Sequence, residues 1–272
     1  MVNALGIDVE EWYHLCGLNM PTGVSDDYQS RVMRNTERIL KLLEKLETKA
    51  TFFILGILAE KFPALVQEIN DAGHEVASHG YHHLEIGKHT KESFREDLIK
   101  SMDVLQSITG KPVLGYRAPG FSIMRETLWA IDILVEQKIQ YDCSIFPIHH
   151  PRYGIPAAPR VGYRIRPQLI ELPPSTVRIF GENFAVAGGA YLRFLPYRFL
   201  RNAVHGLNKQ GIAANSYLHV WEIDPEQPKL KLPLNRYLMH YWGIKTAQQK
   251  FEALLADFQF VPISKVIHDG RL

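Results

Sequence analysis

The chain has 272 residues, long enough to bury a sizeable apolar core as one large domain or two small ones without disulfide help. With 46% hydrophobic and 22% charged residues it is neither disordered, collagen-like nor a coiled coil. A net charge of +2 is too small an excess to indicate a nucleic-acid partner.

The two cysteines, Cys16 and Cys143, make no disulfide framework, and free thiols are expected. Asp8, Glu10 and Glu11 come too early for a secretory signal, and the longest apolar run, 50–59, is about half of what a bilayer crossing needs. The expected location is the cytoplasm, with a peripheral position at the inner membrane as a variant of it.

In chain order, residues 2–9 read as a buried strand, and Ile39, Leu40, Leu42, Leu43 and Leu46 then recur at helical spacing. Residues 50–55 are an apolar β-type run, 58–70 a helix stopped by Gly73, and 74–78 another strand. A polar helix over 91–108 ends at Gly110 with Pro112 beyond, and 113–116 resumes as strand. Helix 125–138 and strand 141–145 continue the alternation, until seven prolines within 147–174 break it with a loop wall. Late strands are expected at 169–172 and 217–223, with a helix over 196–208 between them and a final helix over 246–257. About seven βα-like units predict an α/β chain folded as a single distorted, seven-stranded (β/α) barrel, with its chemistry at the C-terminal strand ends. No repeat or linker splits the chain, so 1–272 reads as one domain, with 226–272 as an extension packed on the barrel.

Unusual residues fall at those strand ends. Five of the twelve histidines (His74, His79, His82, His83 and His89) lie within residues 74–89, where chance places fewer than one. His79 and His83 stand four apart just after a strand, a spacing that lets two imidazoles converge on one ion if the turn is helical. Alternation puts Asp8 and Glu10 on the same side of the first strand's tip. Arg117 ends a third strand, and His219 sits in the late apolar run 217–222. Each has a plainer reading, as a surface or core histidine, a solvated strand end or a structural ion pair. A buried Arg or His still requires an acid, a metal or a ligand nearby. Because barrel strand ends share one mouth, a metal site is the simplest common cause.

In this order the residues resemble the NodB-type polysaccharide deacetylases, carbohydrate esterase family 4, over about residues 3–225. Asp8-Val9-Glu10 resembles the family's opening acidic motif, His79 to His83 its H-[ST]-x-x-H motif, and Arg117-Ala118-Pro119 its R-x-P motif. Tyr141-Asp142 stands for the fourth motif and Leu218-His219 for the final L-x-H. Glu10 replaces the usual aspartate, with Glu11 as a rival ligand; Gly80 replaces Ser/Thr, and Gly120 replaces the aromatic after R-x-P, which would open the substrate groove. The stretches 141–147, 186–191 and 240–242 are similar to the branch associated with exopolysaccharide export and exosortase systems.

The resemblance implies a NodB-like barrel and a metal-dependent hydrolase that removes N-acetyl groups from amino sugars of a surface polysaccharide or its lipid-linked precursor. It implies a divalent metal, Zn2+ by preference, on Glu10, His79 and His83, with Asp8 as base, His219 as acid and Arg117 orienting Asp8. Tyr116, Pro119, Gly120 and Asp142 are the implied substrate contacts, and Asp142 is also a candidate acceptor for the second ring proton of His219. The alternatives are a cyclic amide or imide hydrolase on the same scaffold, or a carbohydrate-binding protein without activity. The expected partner is an N-acetylated carbohydrate and not nucleic acid, with the oligomeric state open. Residues 192–207, with Leu192, Leu195, Phe199 and Ala203 on one face and Arg193, Arg198 and Arg201 elsewhere, suggest a membrane-surface contact, against the plainer reading of an outer barrel helix.

Overall fold

The computed structural model describes residues 1–14 and 28–270. Cys16 lies outside the described residues, and Cys143 is a buried free thiol.

The apolar run of β1 (Val2–Val9) is buried almost throughout, and α1 (Val32–Lys45) turns Val32, Ile39, Leu40, Leu42 and Leu43 inward. After β2 (Thr51–Ile54), the single helix expected over 58–70 is two, α2 (Gly56–Lys61) and α3 (Pro63–Asp71). Pro63 has no amide to continue α2, and its fixed φ suits the first turn of α3. β3 (Glu75–Ser78) precedes α4 (Lys91–Thr109), capped by Thr90 at one end and by left-handed Gly110 at the other. β4 (Gly115–Tyr116), α5 (Trp129–Glu136) and β5 (Tyr141–Asp142) are shorter than their sequence patterns suggest.

Within the proline-rich stretch, β6 (Tyr163–Arg166) runs antiparallel to β7 (Leu169–Glu171). β8 (Thr176–Ile179) and β9 (Glu182–Ala185) form a separate hairpin that the sequence reading does not anticipate. Then come α6 (Ala190–Phe194), α7 (Tyr197–Lys209) and β10 (Asn215–His219). The strand expected over 217–223 stops at His219, where residues 220–223 tighten into a 3₁₀ turn. The chain ends with α8 (Leu234–Tyr241), α9 (Ile244–Asp257), β11 (Gln259–Val261) and α10 (Ile263–His268).

The main sheet runs in the order β10-β1-β2-β3-β4-β5-β7-β6, with seven parallel strands and antiparallel β6 at the edge, while β11 pairs with the start of β1. It is a mixed α/β fold with a curled parallel sheet, a half-barrel. Between β7 and β10 single contacts replace a ladder: Ser175 donates its amide to Asn215 O, and Gly188 bridges Tyr217. That bridge needs glycine, because at φ +136° a Cβ on residue 188 would lie 1.8 Å from the Tyr217 oxygen. Central β1 is flanked by β10 and β2 in a register that sets Asp8 beside His219 at one rim.

The 192–207 stretch is not one amphipathic helix. It breaks between α6 and α7, where Leu200, Ala203, Val204 and Leu207 face the core, and Arg193 is itself buried. Of the apolar positions expected on one face, Leu192 and Ala203 are buried, Leu195 is half-buried and Phe199 is exposed. Among the described residues no helix is long and apolar enough to cross a membrane.

Candidate active site

The C-terminal tip of β1 delivers Asp8 and Glu10 into a cavity of about 290 Å³ that His79, His83, Arg117, Gly120 and His219 also line. Glu10 is held from two sides: its Oε1 accepts from Trp221 Nε1 at 3.0 Å, and its Oε2 faces His83 Nε2 at 2.6 Å and His79 Nε2 at 3.7 Å. Burial pushes the Glu10 carboxyl up, but His83 and His219 outweigh it and hold the group well below the usual carboxylate range. Glu11 is committed elsewhere, accepting from the Ser30 hydroxyl and from Arg31 N at 3.0 Å.

His79 and His83 converge through a left-handed turn and not the helical one expected. Gly80 has φ +77° and His83 φ +59°, a conformation that costs a non-glycine residue roughly 1–3 kcal/mol and survives where the surroundings enforce it. Here Asp97 does so, accepting from Tyr81 N at 2.7 Å and His82 N at 3.3 Å; a Cβ at residue 80 would sit 3.1 Å from its Oδ2. Glycine in place of the family's Ser/Thr fits this turn.

The His79 ring is oriented by Arg117 O, 2.7 Å from Nδ1. A carbonyl only accepts, so Nδ1 carries the proton of the neutral ring, which then offers Nε2 as a lone pair toward Glu10. His14 has the opposite pattern. Its Nδ1 accepts from Glu11 N at 3.2 Å, which puts the proton of a neutral ring on Nε2. Glu10, His14 and His83 nonetheless bring ligand-type atoms within 4.8 Å of one another. Carboxylate and imidazole donors of this kind suit a borderline divalent ion.

Arg117 closes the back of the site. Its Nη1 donates to Asp8 Oδ1 at 2.5 Å, and its guanidinium carbon stacks 4.0 Å from the Phe53 ring centre. Burial would lower the Arg117 pKa, but neighbouring Asp8 outweighs it and raises it. On the opposite side, His219 Nε2 lies 3.7 Å from Asp8 Oδ2 and 3.6 Å from Glu10 Oε1.

The second ring nitrogen of His219 corrects one expectation. Its Nδ1 is 2.9 Å from Glu222 Oε2, which also accepts from His219 N at 3.1 Å, so Glu222 and not Asp142 is the acceptor. Burial disfavours the charge on His219, yet Glu10 and Glu222 raise its pKa to about 9. Burial likewise opposes the Glu222 charge, but His219 and Arg193 bring that carboxyl down to about 2. Arg193 Nε donates to Glu222 Oε1 at 2.6 Å, and its other nitrogens donate to Met239 O, His240 O and Trp242 O at 2.8–2.9 Å. Sequence reasoning passed over Glu222, Arg193 and Trp221; the readable signal was the His219-x-x-Glu222 spacing, which one 3₁₀ turn brings into register.

Three expected substrate contacts do not line the cavity. Asp142 is fully buried, takes the Ser144 hydroxyl and lies across the β5–β7 register from Glu171. Ser144 in turn accepts from Ala118 N at 2.7 Å, so Asp142 braces the Arg117 loop from behind. Burial drives the Asp142 carboxyl up to about 6 and Glu171 well above its ordinary range. Tyr116 packs edge-on to Phe94 in the main core, and buried Pro119 offers its carbonyl to Ser122. Gly120 does line the cavity, and the aromatic missing there arrives one residue later as Phe121, against Phe146 and Tyr217.

Residues 25–134 match the polysaccharide deacetylase family profile, and residues 143–268 match a domain of unknown function, DUF3473. Over 98 residues the chain is 36% identical to a peptidoglycan-N-acetylglucosamine deacetylase of Bacillus cereus, covering 36% of each protein. The matched segment thus spans about a third of that relative's length. Among solved structures, a polysaccharide deacetylase from Mycobacterium smegmatis whose assignment is itself provisional superposes with a TM-score of 0.63 at 18% identity, covering 100% of this chain and 91% of the other. An allantoinase superposes at 0.61 and 15% identity, over 97% and 87%, so the fold is shared by both. His79, His83 and Arg117 fall in the first matched segment and Arg193, His219 and Glu222 in the second, yet both segments contribute strands to one sheet around one cavity. The chain thus carries a polysaccharide deacetylase segment over residues 25–134, with a DUF3473 segment over residues 143–268 supplying the second side of its cavity.

Proposed function

We propose that the protein is a metal-dependent hydrolase that removes N-acetyl groups from amino sugars of a surface polysaccharide or its lipid-linked precursor. The observation that carries this reading is the convergence of His79 Nε2 and His83 Nε2 on one oxygen of Glu10, with His79 Nδ1 committed to a carbonyl, while Asp8 and His219 stand side by side next to it. Neutral imidazoles that present Nε2 lone pairs to a carboxylate oxygen call for a cation between them.

Glu10, His79 and His83 are the proposed ligands, with Zn2+ the preferred ion; when bound, it supplies Lewis acidity and brings the pKa of water from about 15.7 toward about 7. Asp8, fixed by Arg117, accepts the proton of the attacking water. The water oxygen adds to the acetyl carbon, the amide C–N bond breaks, and His219 gives its Nε2 proton to the departing sugar amine, leaving acetate. Glu222 keeps the other ring proton of His219 in place through this cycle. Phe121, Tyr153, Tyr191, Tyr217 and Trp221 on the cavity wall favour a sugar ring over a cyclic amide. The similarity of segments 141–147, 186–191 and 240–242 to the export-associated branch supports a role in exopolysaccharide biosynthesis on the cytoplasmic side. The bonds of Arg193 to residues 239–242 support a single domain with 226–272 packed on it.

Acetate release from a chitooligosaccharide, measured before and after chelation and again after Zn2+ addition, tests the reading. Loss on chelation and recovery with Zn2+ are expected. Unchanged release from metal-free protein, or turnover of a cyclic ureide with none of the chitooligosaccharide, contradicts it.

A further inference from the structure

Beside the cavity, α8 is fastened on one side only. His240 is buried, with Nε2 3.0 Å from Gln227 Oε1 and its ring stacked 4.5 Å from Trp221, and the Tyr241 hydroxyl ties down residues 228 and 230. The other side is bare. Leu234 is 73% exposed, Leu238 43%, Met239 44% and Trp242 59%. At 100° per residue the first three fall within one arc of α8, and Trp242 extends it at the helix end. A contiguous apolar surface of this kind on a globular protein marks an interaction site.

Two observations narrow what covers it. Between residues 225 and 245 the cations are Lys229, Lys231, Arg236 and Lys245, and the single acid, Glu226, is held by Arg34. The segment that carries the patch is therefore positively charged as well as apolar, and Lys229 lies over the ring of Tyr237 on α8 itself. It is also continuous with the cavity mouth, which Met239, Arg236 and half-exposed Phe194 line. Leucine and methionine side chains offer sugar hydroxyls no hydrogen bond. Aliphatic groups with a tryptophan at the edge and lysines around them match the interface of a bilayer containing anionic lipids.

We propose that the α8 face docks on an anionic lipid surface, with the apolar side chains at the acyl boundary, the lysines among the headgroups and the cavity mouth facing that interface. The proposal stands on surface geometry and does not require the deacetylase reading. It places the membrane contact on α8, whose apolar side chains are more exposed than those of residues 192–207, where Leu192, Leu200, Ala203, Val204 and Leu207 are buried.

Flotation of the full chain with equimolar phosphatidylcholine and phosphatidylglycerol vesicles, and with phosphatidylcholine alone, is the test. Binding to the anionic vesicles only is expected. The triple substitution Leu234→Ser, Leu238→Ser, Trp242→Ser should reduce it at least about tenfold, and Lys229→Glu with Lys231→Glu should reduce it in a salt-dependent way. None of these side chains lines the cavity, so circular dichroism and acetate release should match the parent protein and confirm folding. Failure to float with intact acetate release overturns the docking surface alone, and flotation without acetate release overturns only the deacetylase reading. Equal binding of parent and substituted proteins, or a concentration-dependent dimer abolished by the triple substitution, also overturns the lipid assignment.

Discussion

Asp8 and Glu10 reach the cavity as alternate residues of one strand tip, whereas His219 is set by Glu222, and Glu222 by an arginine 29 residues earlier that is itself fastened to carbonyls of residues 239–242. On the first side, local geometry places the chemistry: two-residue alternation, a tight turn and a strand end. On the second, a relay of buried charges through three separate elements does so. The first side should therefore fail by losing a reacting group, and the second by letting an intact reacting group drift in orientation or protonation.

Replacement of the reacting groups should have the largest effect. Asp8→Asn and His219→Ala should each lower kcat by about 100-fold or more while metal content is retained, as measured by acetate release and elemental analysis. Glu222→Gln should have a smaller effect, about 10- to 100-fold in kcat at unchanged metal content, because the amide can present an N–H to His219 Nδ1 and favour the wrong tautomer. An equal loss in Asp8→Asn and Glu222→Gln would erase the distinction between the two sides.

The relay also predicts a pH dependence of stability. The folded-state pKa of Glu222, about 2, lies below its ordinary 4.5, so its contribution is complete above that ordinary value and is lost as pH falls toward about 2. That contribution is on the order of 3 kcal/mol, and thermal melting across this window should show a slope that Glu222→Gln flattens. A parent protein whose melting temperature is level through the window would contradict the charge pairing.

The first side was legible in the sequence for the same local reasons. Acids two apart at the end of an apolar run, a histidine pair after a strand and an arginine ending another strand each carry their placement with them. Asp142 misled because its surroundings come from β7 and the Arg117 loop, which no local pattern announces. Glu222 was within reach through its spacing from His219, but its importance depends on Arg193, whose burial no helical periodicity reveals. In the fold, the parallel order followed from strand–helix alternation. Pro63 could have divided α2 from α3, and the alternating residues around Gly181 could have given the β8–β9 hairpin. The Gly188 bridge joins segments 29 residues apart and becomes visible only in three dimensions.

His79, and not His14, is the proposed third ligand beside Glu10 and His83. Calorimetric titration of chelated protein with Zn2+ tests it most directly, comparing the parent with Glu10→Ala, His79→Ala, His83→Ala and His14→Ala. The first three should lose tight binding while His14→Ala keeps it to within about tenfold. Tight binding retained by His79→Ala and lost by His14→Ala would contradict it.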